Sequence, residues 1–169
     1  MRELNEIEGL KWIRILYSYP EDVDAEFVKA VKECEKVLPY FDMPVQHAND
    51  AILKLMNRKT SKQQIKENID RIRKEIPEAS IRTSIIVGFP TETQEQFDEL
   101  CEFVKEVKFD RLGVFAYSRE EDTPAAILEG QIDEDIKQER KNRLMEIQQG
   151  ISYEKNKTFV GSTLEVMID

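Results

Sequence analysis

SIIVGFPTET, residues 84–93, is the stretch from which the architecture of this chain can be worked out. Its three consecutive apolar residues predict a parallel strand that is covered on both faces. Gly88 lets a backbone or a flat ligand approach the end of this strand, and Pro90 blocks further ladder pairing. Thr93 and Gln96 form a capping box that begins a helix. The stretch therefore predicts a strand–turn–helix unit with a ligand at the turn, and a tight connection without a ligand is an equal alternative.

Three further segments predict strands on either side of this unit. Trp12–Ser18 alternates in polarity and is rich in strand formers. Phe41–His47 predicts a short strand, in which Pro44 indicates a bulge or an exposed ladder position. Arg111–Ser118 predicts the last strand. Because strands and helices alternate along the chain, we expect an α/β fold with four parallel strands and right-handed crossovers.

Helices are predicted between the strands from their caps and their apolar spacing. Asp22 or Asp24 caps the first, and Ser61 with Gln64 forms the capping box of another. A long charged helix is predicted from about residue 133 to 157, with its charged faces in solvent. The inward-facing residues of this helix are predicted to be Ile136, Leu144, Ile147 and Ile151.

The composition is that of one soluble globular domain. The chain has 169 residues, of which 34 are Asp or Glu and 25 are Lys or Arg, giving a net charge of −9. This balance argues against a generic nucleic-acid surface and is compatible with a basic protein partner. No apolar run approaches the length of a membrane span, and the first residues lack the apolar core of a signal peptide. We therefore expect no membrane association and a cytoplasmic location.

The metal-ligating side chains are few. Cys34 and Cys101 lie on apolar helix stripes, which is typical of small buried hydrophobic residues, and His47 is the only histidine. The chain is therefore predicted to supply no Cys/His metal site by itself.

The predicted strand ends collect polar, aromatic and glycine residues, whereas the strand middles are apolar. Ligands of parallel sheets bind at the carboxyl ends of the strands. The residues at these ends are Tyr17, Ser18, Gln46, His47, Gly88, Phe89, Tyr117 and Ser118. They include no Ser/His/Asp set and no spaced carboxylate pair, so a flat, adenine-like ligand is favoured over a proton-transfer site.

Several of these residues also have a structural interpretation. His47 can be a paired strand-end histidine, and Tyr117 and Ser118 can simply pack the rim of the sheet. Arg82 can be an interior ion-pair partner or can clamp a ligand carboxylate. Arg58 can be a solvated loop charge.

Five segments carry a resemblance to a known family. They are WIRILYSYP (12–20), DMPVQH (42–47), MNR (56–58), RTSIIVGFP (82–90) and FDRLGVFAYS (109–118). Together they resemble the radical S-adenosylmethionine methylthiotransferases, and the similarity covers residues 11–169. Residues 44–47 and 138–149 are similar to the branch that modifies a ribosomal protein. The tRNA-modifying branch usually carries Gln-Ser-Gly in place of residues 46–47.

The resemblance implies a domain organisation. Residues 1–159 would be the C-terminal part of a radical-SAM domain, a partial (βα) barrel of four parallel strands with helices. Residues 160–169, with the apolar run Leu164–Ile168, would begin a truncated TRAM domain. An N-terminal cluster domain and the rest of the TRAM domain would be missing. The full-length enzyme would carry two [4Fe–4S] clusters, neither of them ligated by this chain.

The resemblance also implies an activity. The parent enzyme would methylthiolate an aspartate of a basic ribosomal protein, small-subunit protein twelve, and this chain alone would be inactive. The alternatives are a tRNA adenosine methylthiotransferase and a truncated nucleoside-binding module without catalysis. S-adenosylmethionine would be bound by Gln46, His47, Arg82, Ser84, Gly88, Phe89, Pro90, Tyr117 and Ser118.

Two positions depart from the pattern of the family. Thr91 and Asp122 stand where the family usually has glycine. If either position requires a positive φ, the substitution strains its loop.

Overall fold

The computed structural model describes residues 1–166 and gives an α/β fold. The helices are α1 (Arg2–Asn5), α2 (Ala25–Glu33), α3 (Asp50–Leu55), α4 (Lys62–Glu75), α5 (Gln94–Val107) and α6 (Glu134–Lys157). The strands are β1 (Tyr40–Asp42), β2 (Ser80–Val87) and β3 (Arg111–Ala116), and two short 3₁₀ turns span Pro20–Asp22 and Pro124–Ile127. The predicted alternation of strands and helices is confirmed from β1 onward.

The sheet is parallel, in the order β1-β2-β3, so that β2 is its central strand. Asp42 pairs with Arg82, and Arg82 pairs with Arg111 across the sheet. The crossover from β1 to β2 contains α3 and α4, and that from β2 to β3 contains α5. The three carboxyl ends therefore lie along one edge, where a parallel sheet binds its ligands.

The predicted strand over Trp12–Ser18 is only partly formed, so the prediction of four strands is not confirmed. The segment makes one isolated parallel bridge, between Ile13 and Val37, and one hydrogen bond to β1 near its end. Between these contacts Tyr17 adopts a φ of 58° and turns the chain out of the ladder. Among the described residues the segment has a pairing neighbour on one side only, and strand propensity alone does not hold such a segment flat.

β1 ends early because of Pro44, and the bulge predicted there is present. The N–H groups of Met43 and Gln46 donate to β2 carbonyl groups that are only two residues apart, so the β1 side carries one extra residue. The Thr83 hydroxyl fills the gap. It donates to the Met43 carbonyl at 2.9 Å and accepts from the Val45 N–H at 3.2 Å.

β2 is buried on one face only, which corrects the prediction of a strand covered on both faces. Its buried residues are Ile81, Thr83, Ile85 and Val87, and its partly exposed residues are Arg82, Ser84 and Ile86. Helices cover the first face. On the second face Phe115 of β3 remains 55% exposed. The three apolar residues were misleading because Ile86 belongs to the open face.

The helices are amphipathic and enclose one core against the sheet. Its fully buried helical residues include Ile65, Ile69, Ile72, Leu100, Cys101 and Val104. Both predicted capping boxes are present, Ser61 with Gln64 at the start of α4 and Thr93 with Gln96 at the start of α5. The side chain of Asp24 caps α2.

α6 has the predicted length, but its buried face differs from the predicted one. Leu144 is fully buried and Ile147 and Ile151 pack partly against the core, whereas Ile136 is 41% exposed. The buried stripe consists of Lys137, Arg140, Leu144 and Gln148. These residues have helical spacing, but three of them are polar, so a search for apolar periodicity does not find them.

The end of the described chain lacks the predicted strand. After α6 the backbone makes a turn and then runs without regular structure through residue 166. The remainder of the predicted Leu164–Ile168 strand lies outside the described residues. Within residues 1–166, no helix combines the length and apolarity that crossing a bilayer would require.

Candidate functional site

A groove at the carboxyl ends of the strands consists of two adjacent lobes, with volumes of about 270 Å³ and about 490 Å³. The first lobe is lined by Tyr17, Ser18, Tyr19, Pro44, Gln46, Arg58 and Ser84. The second is lined by Gln46, Leu55, Met56, Asn57, Arg58, Ile86, Phe89, Tyr117, Thr123, Pro124 and Ala125. Gln46 and Arg58 border both lobes. Small-molecule sites typically have about 300–1,000 Å³, so the groove has the size of one.

Backbone strain is concentrated beside this groove. Tyr17, Gln46 and Asn57 line it and have φ values of 58°, 68° and 56°, in the left-handed region. The Gln46 backbone is held there by the sheet, since its N–H donates to Ser84 and its carbonyl accepts from Ile86, both at 2.9 Å. Strained backbone of this kind costs about 1–3 kcal/mol per residue and clusters at functional sites.

An aromatic pair forms one wall of the second lobe. The rings of Phe89 and Tyr117 meet edge to face with centroids 5.2 Å apart and pack with Ile52 and Ile86. The Tyr117 hydroxyl is buried and has no hydrogen-bond partner among the described residues. Because buried polar groups are usually paired, this hydroxyl is suited to a ligand or an ordered water.

Arg58 is not the solvated loop charge that the sequence allowed. Its Nη2 donates to the Pro44 carbonyl at 2.6 Å. Its guanidinium carbon lies 5.2 Å from the centroid of the Tyr19 ring. Both contacts place the guanidinium at the junction of the two lobes.

Arg82 is engaged by an internal partner. Its Nη1 donates to both carboxylate oxygens of Asp42, at 2.8 and 2.9 Å, and the hydrogen bond to Asp42 raises the pKa of Arg82. The Asp42 carboxylate is itself buried. The geometry therefore matches the ion-pair interpretation of Arg82 and gives its Nη1 no free role as a clamp for a ligand carboxylate.

The space beside Gly88 is filled by the protein itself, which corrects the prediction of an open approach for a ligand. Gly88 has a φ of 71°, and a Cβ at this position would overlap Cγ of Lys137. The aliphatic stem of Lys137 from α6 covers the glycine, and the Lys137 ammonium bonds Glu134 at 2.5 Å. Glycine is required here by the close approach of a side chain from another helix.

A buried carboxylate, Glu92, ties the turn after β2 to α6. It bonds Nη1 of Arg140 at 2.7 Å and accepts from the Gly88 N–H at 2.9 Å. The side chain of Glu92 is 0% exposed and that of Arg140 only 8%. The sequence analysis did not identify either residue. The helical spacing of the polar residues in the buried stripe of α6 was the pattern that could have revealed Arg140.

His47 belongs to this buried network and does not line the groove. Its side chain is fully buried, its Nδ1 accepts from the Asn49 N–H at 2.9 Å, and its Nε2 lies 3.4 Å from Glu92 Oε2. Since Nδ1 accepts a hydrogen bond, the proton of a neutral imidazole sits on Nε2, toward Glu92. This corrects the expectation that His47 lines the ligand site.

The remaining predicted site residues occupy different surroundings. Ser84 lines the first lobe. Pro90 is buried in the turn, and Ser118 is exposed and donates to Glu120 at 2.9 Å. The groove thus brings Gln46, Ser84, Phe89 and Tyr117 together, and their role toward a cofactor stays a prediction.

The strain expected where glycine is replaced is present. Thr91 has a φ of 71° and Asp122 a φ of 63°. The Thr91 N–H donates to the Gly130 carbonyl at 2.8 Å, which anchors the strained turn. A β-branched residue is a genuine outlier in this region, whereas aspartate tolerates it better.

A larger depression, of about 740 Å³, lies away from the sheet ends. Its lining comes from α1, α2 and the turn between them, including Arg2, Asp24 and Phe27. None of the predicted site residues borders it, and it is wide open to solvent.

The two cysteines are buried and separate. Cys34 ends α2 and Cys101 lies in α5. Burial raises the pKa of Cys101 to about 11, so its thiol is held protonated. Within residues 1–166, no three His, Cys, Asp or Glu side chains come together in a way that could hold a metal ion.

Comparison with known proteins gives one family match. A family model described as the Radical SAM superfamily matches residues 1–104.

Curated relatives match over the whole chain. The ribosomal protein uS12 methylthiotransferase RimO of Clostridioides difficile (strain 630) is 55% identical over 169 residues, covering 100% of this chain and 38% of the relative. The proteins of the same name from Bdellovibrio bacteriovorus and Caldicellulosiruptor saccharolyticus are 52% and 53% identical over the same 169 residues. These matches confirm the resemblance inferred from the sequence. The chain spans 37–38% of the length of these relatives.

Proposed function

The chain belongs to the Radical SAM superfamily, and we propose that it forms part of an enzyme that transfers a methylthio group to an aspartate of ribosomal protein uS12. The observation that carries this proposal is the 55% identity to a relative named for that reaction, extending over all 169 residues. Because the chain spans 38% of that relative, the activity would require segments outside it. In the complete enzyme, residues 1–159 would be the C-terminal part of a partial (βα) barrel and residues 160–169 would begin a TRAM domain.

S-adenosylmethionine would occupy the groove. The edge-to-face pair of Phe89 and Tyr117 offers an apolar wall to an adenine ring, and the unpaired Tyr117 hydroxyl offers a hydrogen bond. Gln46 and Ser84 supply polar contacts from the neighbouring strands. The cofactor, when bound, supplies the radical chemistry that an unactivated C–H bond needs, and the groove residues bind and orient it.

The residues of this chain do not fit an iron–sulfur cluster. Clusters are held by sets of cysteine thiolates, whereas Cys34 and Cys101 are buried in separate helices, and the thiol of Cys101 is held protonated. The two [4Fe–4S] clusters of the complete enzyme would therefore be ligated outside this chain. We expect the 169-residue chain alone to be inactive.

The charge of the chain supports a basic protein substrate. Glu120, Glu121 and Asp122 are consecutive and lie just beyond the carboxyl end of β3, and the net charge is −9. Such a surface attracts a basic protein and repels a phosphate backbone. Because the proposed substrate belongs to the ribosome, we expect the reaction to take place in the cytoplasm.

A competition assay tests the substrate. The complete enzyme is offered uS12 and an isopentenylated tRNA together with S-adenosylmethionine under reducing, anaerobic conditions, and mass spectrometry locates the methylthio group. We expect it on the protein aspartate. A methylthio group found on tRNA adenosine alone would replace this proposal by the tRNA-modifying one, and S-adenosylmethionine binding without any modification would favour a nucleoside-binding module.

A further inference from the structure

β3 is an open edge of the sheet. Among the described residues it pairs with β2 alone. At the opposite edge the segment 12–18 runs beside the chain that forms β1, and the Ser18 N–H donates to the Asp42 carbonyl at 2.8 Å. The two edges therefore differ, because only that of β3 is left without a neighbouring segment in residues 1–166.

The main chain of this edge is accessible. Gly113 in the middle of β3 is partly exposed, and since glycine has no side chain, this exposure is that of the main chain. The Tyr117 N–H donates to the Val87 carbonyl of β2. N–H groups alternate between the two sides of a strand, so those of Val114 and Ala116 point to the open side. They are available to a further strand.

The edge also lacks the features that prevent pairing. Natural edge strands are protected by lysines, prolines or bulges. β3 contains neither lysine nor proline, and it pairs with β2 through six consecutive residues without a bulge. On the open face of the sheet the Phe115 side chain is 55% exposed. Strand addition uses both features, since main-chain hydrogen bonds give affinity and cross-strand side-chain pairs give selectivity.

We propose that the free edge of β3 binds an extended, basic segment of the substrate protein, which adds to the sheet as a further strand. The inference rests on the proposed function and extends it to the way in which the substrate is held. β3 ends at Ala116, directly before Tyr117, which lines the groove. A strand added along β3 therefore brings one of its ends to the groove, where the aspartate to be modified would meet the cofactor.

The charge beyond β3 selects the partner. Glu120, Glu121 and Asp122 are all exposed, and the one neighbouring arginine, Arg119, donates to the Ala126 carbonyl. This run attracts the lysines and arginines of a basic segment to the end of the edge. A second copy of this chain, with its net charge of −9, would be repelled there.

A series of methylated peptides tests the proposal by calorimetry on the complete enzyme. The probe is a basic uS12 peptide that contains the target aspartate, and each of its main-chain nitrogens is methylated in turn. A methyl group there removes one donor and leaves the side chain unchanged. We expect every second methylation to weaken binding by about 2- to 10-fold, as the loss of one hydrogen bond implies, and those between to have little effect. Losses without a two-residue period, or no binding of the peptide, would overturn the inference.

Two substitutions in β3 test the edge itself. Ala116→Pro removes an N–H that β2 does not use, which an edge strand tolerates, and should weaken the peptide by about 10-fold or more. Urea unfolding checks that this variant remains folded. Phe115→Ala should weaken the peptide by about 2- to 5-fold. Its matched control is Phe159→Ala after α6, where the ring is 54% exposed. Equal losses in the two alanine variants would contradict the proposal.

The acidic run is tested by reversing one charge. Glu121→Lys should weaken the peptide by about 3- to 10-fold, and the loss should shrink as the salt concentration rises. The control is Glu78→Lys, the same change at an exposed residue before β2, at the opposite end of the strands. The same loss in both variants would show that only the net charge matters and not the position of the run.

Amide hydrogen exchange, resolved by residue, distinguishes other occupants of the edge. In the complete enzyme without peptide, the amides of Val114 and Ala116 should exchange fast, and addition of the peptide should slow them. Protection without peptide at every enzyme concentration would show that another segment of the same chain covers the edge, and protection that grows with enzyme concentration would indicate a second copy. Either result overturns the inference.

Methylthiolation of uS12 by the wild-type enzyme is scored separately. If uS12 is modified while the methylated peptides show no two-residue period, the inference about β3 fails and the proposed function stands. If uS12 is not modified, the proposed function fails, and the peptide series still decides whether the edge of β3 binds a strand.

Discussion

The segments that follow β1 and β2 lie at the same edge of the sheet, yet they differ in what covers them. After β2, the turn from Gly88 to Thr93 is packed by α6, with Lys137 over the glycine and Arg140 bonded to Glu92. After β1, the bulge leads into a strained segment that borders the groove. The turn that contains Gly88 is therefore filled by side chains of the protein itself. The segment around Gln46 instead borders the space that is open to a ligand.

The difference shows how far local sequence determines a binding site. A glycine after a strand indicates a close approach, but the approaching group can come from the protein or from a ligand. Only the position of α6, which begins 46 residues after Gly88, decides that this glycine receives the stem of Lys137. Substitutions in the turn after β2 should therefore affect mainly stability, and substitutions in the segment after β1 should affect mainly ligand binding.

The largest effect on stability is expected from replacing Arg140, which bonds Glu92 in the packed turn after β2. Arg140→Met leaves Glu92 as an uncompensated buried charge and should lower the free energy of unfolding by about 3–5 kcal/mol. Urea denaturation measures this loss. The matched control is Arg143→Met on the same helix, whose partner Asp98 is about half exposed. That pair should contribute about 0–1 kcal/mol. Equal losses in the two variants would show that Glu92 and Arg140 do not close the turn.

The contact above Gly88 should give the next largest effect. Gly88→Ala adds a Cβ that meets Lys137 and forces a residue with a side chain into a φ of 71°, so we expect a loss of about 2–3 kcal/mol. Gly9 has a similar φ of 76°, and a Cβ there would meet nothing within 4 Å. Gly9→Ala therefore measures the cost of the backbone conformation alone, about 1 kcal/mol. Lys137→Ala should rescue part of the loss at Gly88. Equal costs at the two glycines would mean that the lysine stem yields freely.

Relieving backbone strain in the turn after β2 should stabilise the protein. Thr91→Gly removes a β-branched residue from a φ of 71° and should raise the free energy of unfolding by about 0.5–1 kcal/mol, the left-handed penalty less the entropy cost of glycine. Asp122→Gly should gain less, because aspartate tolerates a left-handed backbone. Thermal and urea unfolding of both variants check the order. A larger gain at Asp122 would contradict this account of the strain.

The smallest effect is expected at Glu99, a carboxylate that supports the start of the helix before Arg58. Glu99 accepts from Asn49 at 2.6 Å and from Lys62 at 2.9 Å, and Asn49 caps the helix that leads to Arg58. Burial alone would raise the pKa of Glu99, but these hydrogen bonds outweigh it and hold the pKa below the ordinary value of 4.5. A lowered pKa in the folded state stabilises the protein above about pH 4.5, and this stabilisation is lost as the pH falls below it.

Comparison with Glu99→Gln measures this contribution. The two proteins should differ by at most about 0.5 kcal/mol near neutral pH, because Glu99 is partly exposed, and should converge between about pH 4.5 and 3. A difference that persists unchanged at pH 3 would show that the effect is not the titration of Glu99.

Much of the fold was predictable because it depends on local patterns. The capping boxes at Ser61 and Thr93, the bulge at Pro44 and the helical stripe of α4 each require only neighbouring residues, and each is present. Residues 12–18 form less of a strand than predicted. A regular strand there would need a second neighbouring strand, which no local sequence pattern reveals. Ile86 was placed in the core because a short apolar run does not reveal which face is covered.

The site was predictable in position but not in the roles of its residues. Parallel strands fix the edge at which Gln46 and Tyr117 meet, so the location follows from topology. Occupation of the space at Gly88 depends on Lys137 of α6, whose buried stripe is mostly polar and so gives little apolar signal.

The ion pair between Glu92 and Arg140 also constrains the order in which the molecule can assemble. Its partners are 48 residues apart in the chain. At a synthesis rate of about 5–20 residues per second, Glu92 waits about 2–10 s for its arginine to be made. Burial of the turn during that interval would leave the Glu92 carboxylate without its ion-pair partner, which is unfavourable. We therefore expect full burial of this turn to follow the synthesis of α6.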